Sequence, residues 1–391
     1  MRSLPSGRLH RRAVAILAIA LAALLAAPPA QAETIGGEQL DSVKRSVNLG
    51  PEADPLPEVW AATWLLADAE TGEVLAHKGA HVQRAPASTL KTLTALTVLP
   101  QTSPDQTYVA TRRATDIYGS KVGLKPGKTY TMHQLWNAVF LPSANDAAIA
   151  VAEVNGGVRT TVKQMNEVAA ALGAFDTVAK NTNGLDAPGQ VSSAYDLALI
   201  ARAGLARDDF ASYARTARAP FPNLRGKGSH TIYTTNRMLL NGWPGAIGVK
   251  TGFTSQAGRT FVGAAERKGR TLIVSLMGIK ESTEGAATKL LSWGFRNADR
   301  VEPVGVLVAP TDTDLAVSSR TVPVSQDAPV DGVSEDSPSP KATAAGDLET
   351  QESSSASLLP AGAMGLIIAA ALAGGVLLVR RGTSRSGRHV D

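Results

Sequence analysis

The chain contains no cysteine. Disulfides, thiolate metal sites and a cysteine nucleophile are therefore excluded. Histidine is scarce too, six in 391 residues, and only His77 and His81 stand close together. Gly79 between them argues against a helix presenting both to one metal, and no third ligand is near, so neither a metal nor any other cofactor is expected. No G-x-S-x-G occurs, so a hydrolase elbow built on Ser-His-Asp lacks its anchor. The stretch Gly123 to Thr129 resembles a phosphate loop, but Val122 stands where the first glycine belongs, and we read it as a turn.

What is present divides into unlike regions. Arg2, Arg8, Arg11 and Arg12 precede an apolar run, Ala13 to Ala27, and then Ala30-Gln31-Ala32. That order reads as a secretory signal over 1–32. Near the other end, 358–379 carries no charge and is long enough to cross a bilayer. Four arginines follow in 380–391, which predicts a single-pass helix with a basic cytoplasmic tail and everything before it outside. Residues 302–357 hold ten acids, two bases and no aromatic residue. Such a segment buries too little apolar area to offset its ordering entropy, and we expect a disordered stalk, with 304–308 as an optional last strand. A lead segment, 33–57, and a folded domain, 58–301, remain. With the acidic stalk set apart, the positive charge of the chain, +5 in total, falls on the signal, the folded domain and the tail. A basic extracellular domain suits an anionic wall polymer or plain solubility; nucleic acid is not implied.

Within the folded domain, Ala61 to Asp68 and Glu73 to Ala76 flank Glu70-Thr71-Gly72, the pattern of a hairpin. Helical patterns follow from Ser88, Met132, Asp146 and Val158, and Ser192-Ser193 caps another that ends near Leu205. Strand patterns return at 245–251, 260–265 and 271–277, with Arg267-Lys268-Gly269 turning the second into the third. An amphipathic helix over 283–295 closes the domain. Strands at both ends with helices between predict an α+β fold: an antiparallel sheet flanked by helices, with an inserted helical subdomain.

Three short motifs sit in this frame. Ser88 and Lys91 are three apart at a helix start, so the two side chains can meet. A serine needs a base to become a nucleophile, and a lysine of lowered pKa serves. Ser143-Ala144-Asn145 lies in an interhelical break, where it presents a hydroxyl and an amide or simply caps the next helix. Lys250-Thr251-Gly252 ends an apolar strand, and its glycine permits close approach of another backbone or a ligand. Separately each motif is ordinary. Their order, spacing and contexts together match a combination found in penicillin-interacting enzymes.

With Asn183-Gly184-Leu185-Asp186, Met165-Asn166, and Phe253-Thr254 followed by Ala257-Gly258, the chain from about 61 to 297 resembles the low-molecular-mass penicillin-binding D-alanyl-D-alanine carboxypeptidases. The resemblance implies a β-lactamase/transpeptidase-like fold. It also implies that Ser88 attacks the carbonyl between the last two D-alanines of a peptidoglycan stem peptide, with Lys91 as base. Ser143 relays protons to the leaving amine, helped by Lys250, and Asn145 holds Lys91 and the substrate amide. The N–H groups of Ser88 and Phe253 form the oxyanion hole. Lys250, Thr251, Gly252, Phe253 and Thr254 line the substrate, Lys250 and Thr251 facing its terminal carboxylate. β-Lactams are the implied inhibitors. Some relatives carry a further β-rich domain, for which the low-complexity stalk has no capacity. Two alternatives stay open: a β-lactamase of the same fold, and an inactive wall- or penicillin-binding module.

Overall fold

The computed structural model of the chain describes residues 34–223 and 226–309. The expected signal, membrane span and tail, and the stalk beyond 309, lie outside these residues. No helix among the described residues is long and apolar enough to cross a membrane.

The expected hairpin is β3 (Thr63–Asp68) and β4 (Glu73–Lys78). Asp68 builds its turn: Oδ1 accepts the N–H groups of Glu70 at 2.9 Å and Thr71 at 3.2 Å. The C-terminal strands are β9 (Ala246–Thr254), β10 (Gly258–Arg267) and β11 (Arg270–Ile279). Lys268 and Gly269 join the last two, both with positive φ, as a two-residue hairpin loop matching the strand twist requires. β11 pairs antiparallel with β3, so the two ends of the domain meet in one sheet, in the order β1-β4-β3-β11-β10-β9, where β1 is Arg45–Ser46.

The sheet has two cores because side chains alternate along a strand. Trp64, Leu66, Leu272, Val274 and Leu276 face the helix Thr283–Asn297, packing on its Leu290, Leu291 and Trp293. Leu65, Ala67, Ile273 and Met277 face the other way, toward the inserted helices. In chain order these are α1 (Lys91–Val98), α2 (Arg112–Thr115), α3 (Met132–Phe140), α4 (Asn145–Val154), α5 (Val158–Ala171), α6 (Ala194–Leu205), α7 (Asp208–Arg215) and α8 (Arg237–Leu240); the helix behind the sheet is α9. Every residue of α1 is buried, which is why it lacks a polar face and why its lysine is a candidate for perturbed chemistry. α3 starts with the reciprocal cap Thr131–Gln134, and Ser193 caps α6 through the Asp196 N–H.

Both edges of the folded body differ from the expected 58–301. The lead segment is built in: β1 pairs with β4, and β2 (Asn48–Leu49) pairs with β12 (Val301–Glu302). Residues 302–309, placed in the stalk with 304–308 as an optional last strand, belong to the body, and that strand forms. β13 (Gly305–Val306) adds to the free edge of β4, and Val304 and Leu307 are buried. The Tyr195 hydroxyl donates to the Val306 carbonyl at 2.9 Å and accepts the Val308 N–H at 3.0 Å. Two apolar side chains and one buried tyrosine suffice to order a segment whose composition looks unstructured.

Candidate active site

Ser88 lies in the single 3-10 turn Ala87–Leu90 that leads into α1. Ala87 has φ +50°, a conformation costly for an L-residue and found where neighbouring structure enforces it. The Pro86 carbonyl supplies that enforcement. It accepts the Thr89 hydroxyl at 2.6 Å and the Thr260 hydroxyl, from β10, at 2.8 Å. Strand β9 passes so near that a Cβ on Gly252 would sit 2.8 Å from the Ser88 nitrogen. The glycine expected to permit close approach therefore permits the approach of the turn that carries Ser88.

The Lys91 Nζ lies 2.9 Å from the Ser88 Oγ, 2.7 Å from the Asn145 Oδ1 and 2.7 Å from the Asn183 carbonyl oxygen. Asn145 Oδ1 and a carbonyl only accept. A neutral amine has two hydrogens and one lone pair. Those two acceptors take both hydrogens, and the lone pair is left for the Ser88 hydroxyl, the arrangement a general base requires. Burial favours the neutral state, holding Lys91 well below the ordinary lysine range; the nearby Lys250 charge lowers it further, and the Asp146 carboxylate opposes both. Lys250, equally enclosed, is pushed down by burial to about 7.

Ser143, Asn145 and Asp146 come from the α3–α4 break. Ser143 has φ +62°, and its buried Oγ has no hydrogen-bond partner. Asn145 is turned so that Nδ2 donates to the Tyr118 carbonyl at 2.9 Å, which aims Oδ1 at Lys91. Asp146 accepts the N–H groups of Val122, Gly123 and Leu124 at 3.1, 2.8 and 2.9 Å. The segment that resembles a phosphate loop thus wraps a carboxylate of its own chain.

Ser88, Ser143, Thr251, Gly252 and Phe253 line one cleft of about 510 Å³. Two expected substrate-facing groups point elsewhere. Lys250 is buried beneath the cleft, donating to the Thr251 carbonyl at 2.9 Å. The Thr254 hydroxyl donates to Asp186 at 2.7 Å and accepts the Ala257 N–H, so it ties the end of β9 to the loop that carries Asn183. Sequence reasoning missed Thr235 and Arg237, which line the same cleft. Thr235 Oγ1 meets Thr251 Oγ1 at 2.5 Å, and Asn236 caps α8 beneath Arg237. Neither lies in a motif, and Asn236 as a cap was the sole local signal.

Residues 51–281 match the family described as D-alanyl-D-alanine carboxypeptidase. A D-alanyl-D-alanine carboxypeptidase of Mycobacterium tuberculosis is 42% identical over 249 residues, covering 62% of this chain and 84% of that one. One from Bacillus subtilis is 30% identical, covering 73% of this chain and 71% of its own. Among solved structures, a D-alanyl-D-alanine carboxypeptidase from M. tuberculosis superposes with a TM-score of 0.63 at 39% identity, over 66% of this chain and 99% of that one. A DD-transpeptidase from Streptomyces superposes with a TM-score of 0.60 at 28% identity, over 62% of this chain and all of its own. With more than half of its length matched, the chain belongs to the D-alanyl-D-alanine carboxypeptidase family of serine peptidases.

Proposed function

We propose that this chain removes the terminal D-alanine from peptidoglycan stem peptides through an acyl-enzyme on Ser88. The observation that carries the residue assignment is the Lys91 amine, enclosed, drawn toward neutrality and 2.9 Å from the Ser88 Oγ. Lys91 takes the hydroxyl proton as Oγ attacks the peptide carbonyl. The N–H groups of Ser88 and Phe253 stabilise the oxyanion, a contribution that is commonly the largest single one. As the C–N bond breaks, Ser143 passes a proton to the leaving amine; its unpartnered hydroxyl at the cleft wall is available for that relay. Water then attacks the acyl carbonyl and frees Ser88. The Thr251 and Thr235 hydroxyls and the Arg237 guanidinium form the wall for the terminal carboxylate, a group that arginine pairs with well.

A β-lactam offers the same carbonyl with a leaving amine that stays attached, so it should remain on Ser88. Intact-protein mass spectrometry after β-lactam treatment is expected to show one adduct on the unaltered chain and none on Ser88→Ala. Equal adducts on both would remove the assignment. The location is part of the same proposal: the signal-like 1–32 and the apolar 358–379 support a body outside the cell, held by one membrane helix. Labelling of intact cells by a membrane-impermeant β-lactam, with the labelled chain recovered in the membrane fraction, is the expected outcome. Labelling only after lysis would overturn it.

A further inference from the structure

Two residues singled out in the sequence take no part in the proposed reaction: Asp186, which ends Asn183-Gly184-Leu185-Asp186, and Thr254, which follows Phe253. The fold brings them together. Thr254 Oγ1 donates to Asp186 Oδ1 at 2.7 Å. The same oxygen accepts the Ala257 N–H at 3.0 Å, and its single hydrogen goes to the carboxylate. Among the described residues the Asp186 carboxylate has no other partner, and no other hydrogen bond joins the loop 181–190 to β9. The remaining bonds of the loop are internal to it. Asn181 Oδ1 accepts the Gly184 N–H at 2.8 Å, Asn183 Oδ1 accepts the Leu185 N–H at 3.0 Å, and the Leu185 carbonyl accepts the Asn181 and Gln190 amides at 2.8 and 2.7 Å. They fix the shape of the loop but not its distance from β9.

Loop and strand each carry a backbone group that the reaction uses. The Asn183 carbonyl oxygen lies 2.7 Å from Lys91 Nζ and 3.4 Å from Ser88 Oγ. β9 carries Phe253, whose N–H is assigned to the oxyanion. Each segment also approaches the turn of Ser88 through a glycine. A Cβ on Gly252 would sit 2.8 Å from the Ser88 nitrogen; one on Gly184 would sit 2.9 Å from the same atom and overlap the Ala87 carbonyl oxygen. Gly184 has φ +81°, where a side chain is disfavoured in any case. The bond between Asp186 and Thr254 falls two residues beyond each of these glycines. Turn, loop and strand are thereby joined in a closed circuit of contacts, and this bond is its one link between side chains of the loop and of β9.

We propose that Asp186 and Thr254 are positioning residues, whose hydrogen bond sets the distance between the carbonyl that orients Lys91 and the N–H that receives the oxyanion. This rests on the function proposed above, and it gives Thr254 a role other than the substrate contact that the family resemblance implies. Stopped-flow acylation by a chromogenic β-lactam, followed to saturation, separates the binding constant from the first-order acylation rate. It is measured for the unaltered chain, Asp186→Ala, Asp186→Asn, Thr254→Val and the Asp186→Ala/Thr254→Val double variant, each well below its own melting temperature. Asp186→Ala should slow acylation about ten- to a hundredfold and leave the binding constant within about twofold, because misplaced reacting groups cost rate rather than affinity. Asp186→Asn, whose amide oxygen still accepts the hydroxyl, should recover most of the rate. The double variant should be no slower than the slower single variant, as for two residues that act through one bond. An acylation rate unchanged in Asp186→Ala overturns the positioning role, even if the melting temperature falls. Losses that multiply in the double variant overturn it too, as does a Thr254→Val effect confined to the binding constant. Absence of a Ser88 adduct in the unaltered chain overturns the parent function as well.

Discussion

Two clusters of ionisable side chains are enclosed in this domain, and they behave in opposite ways. At the cleft, Lys91 and Lys250 would carry like charge if both were protonated, and each is 1% exposed. Burial and mutual repulsion drive Lys91 toward neutrality. Where the chain ends are fastened, His81 Nδ1 meets Asp176 Oδ2 at 2.8 Å while its Nε2 meets the Ile35 carbonyl at 3.0 Å. Burial alone would push His81 down, yet the hydrogen bond and charge of Asp176 hold it above its ordinary value. Desolvation acts on both clusters; the sign of the neighbouring charge decides which becomes reactive and which becomes a fastening.

The largest expected effect breaks the reactive side of that comparison. Lys91→Arg keeps the charge and removes the capacity to deprotonate. Acylation by a β-lactam should slow about 10²–10⁴-fold, the range of a lost general base, with the fold retained by circular dichroism. In the unaltered chain acylation should rise with pH through the apparent pKa of the coupled lysines, and stopped-flow acylation across pH 5 to 10 measures it. A Lys91→Arg chain that acylates at the normal rate would exclude Lys91 as the base.

The fastening side is broken by truncation. A chain ending after Arg300 loses Val304, Leu307 and both partners of the Tyr195 hydroxyl. Burial of the two aliphatic side chains contributes about 3–6 kcal/mol. The melting temperature should fall on the order of 10 °C relative to a chain ending after Ala309. Equal melting curves would return the domain boundary to 301.

The smallest effect sharpens the comparison through pH. Burial raises the Asp196 carboxyl to about 7, although the Thr177 hydroxyl, 2.6 Å away, works against the rise. A group with a raised folded-state pKa binds its proton more tightly in the folded chain. Its stability contribution is complete below the unfolded value near 3.8 and is lost as pH rises through about 7. His81 shifts in the same direction, so its contribution fades above its ordinary range. Asp196→Asn should flatten the decline of melting temperature between pH 4 and 7. An unchanged slope would place that decline elsewhere.

The sequence reading succeeded where periodicity or turn chemistry is strong. The β3/β4 and β10/β11 hairpins, α3 through α6 and the behind-sheet helix match their apolar patterns and caps. It failed where an element is held by distant residues. β7 (Arg218–Pro222) contains two prolines and exists because it pairs with β8 (Ser229–Tyr233). The two-residue strands of the lead segment carry no pattern at all. The motifs pick out Ser88, Lys91, Ser143, Asn145 and Lys250 as candidates, but not which surfaces they turn to. Lys250 is buried and Thr254 turns to Asp186, because regular alternation along β9 puts both, with Gly252, on the strand face opposite to that of Thr251. Arg237 reaches the cleft through a short helix after β8, a placement that only the tertiary fold creates.

Gly36 and Val306 are joined by one backbone hydrogen bond, the Val306 N–H donating to the Gly36 carbonyl at 2.8 Å. The beginning and the end of the folded body therefore leave from adjacent points. The last described residues are also tied to β4 by the β13 pairing and to Tyr195, and residue 35 to His81, all of them contacts that involve neither β9 nor β10. The two ends of the folded body are thus fastened to each other and to the β4 edge of the sheet, at the opposite edge from β9 and its cleft residues.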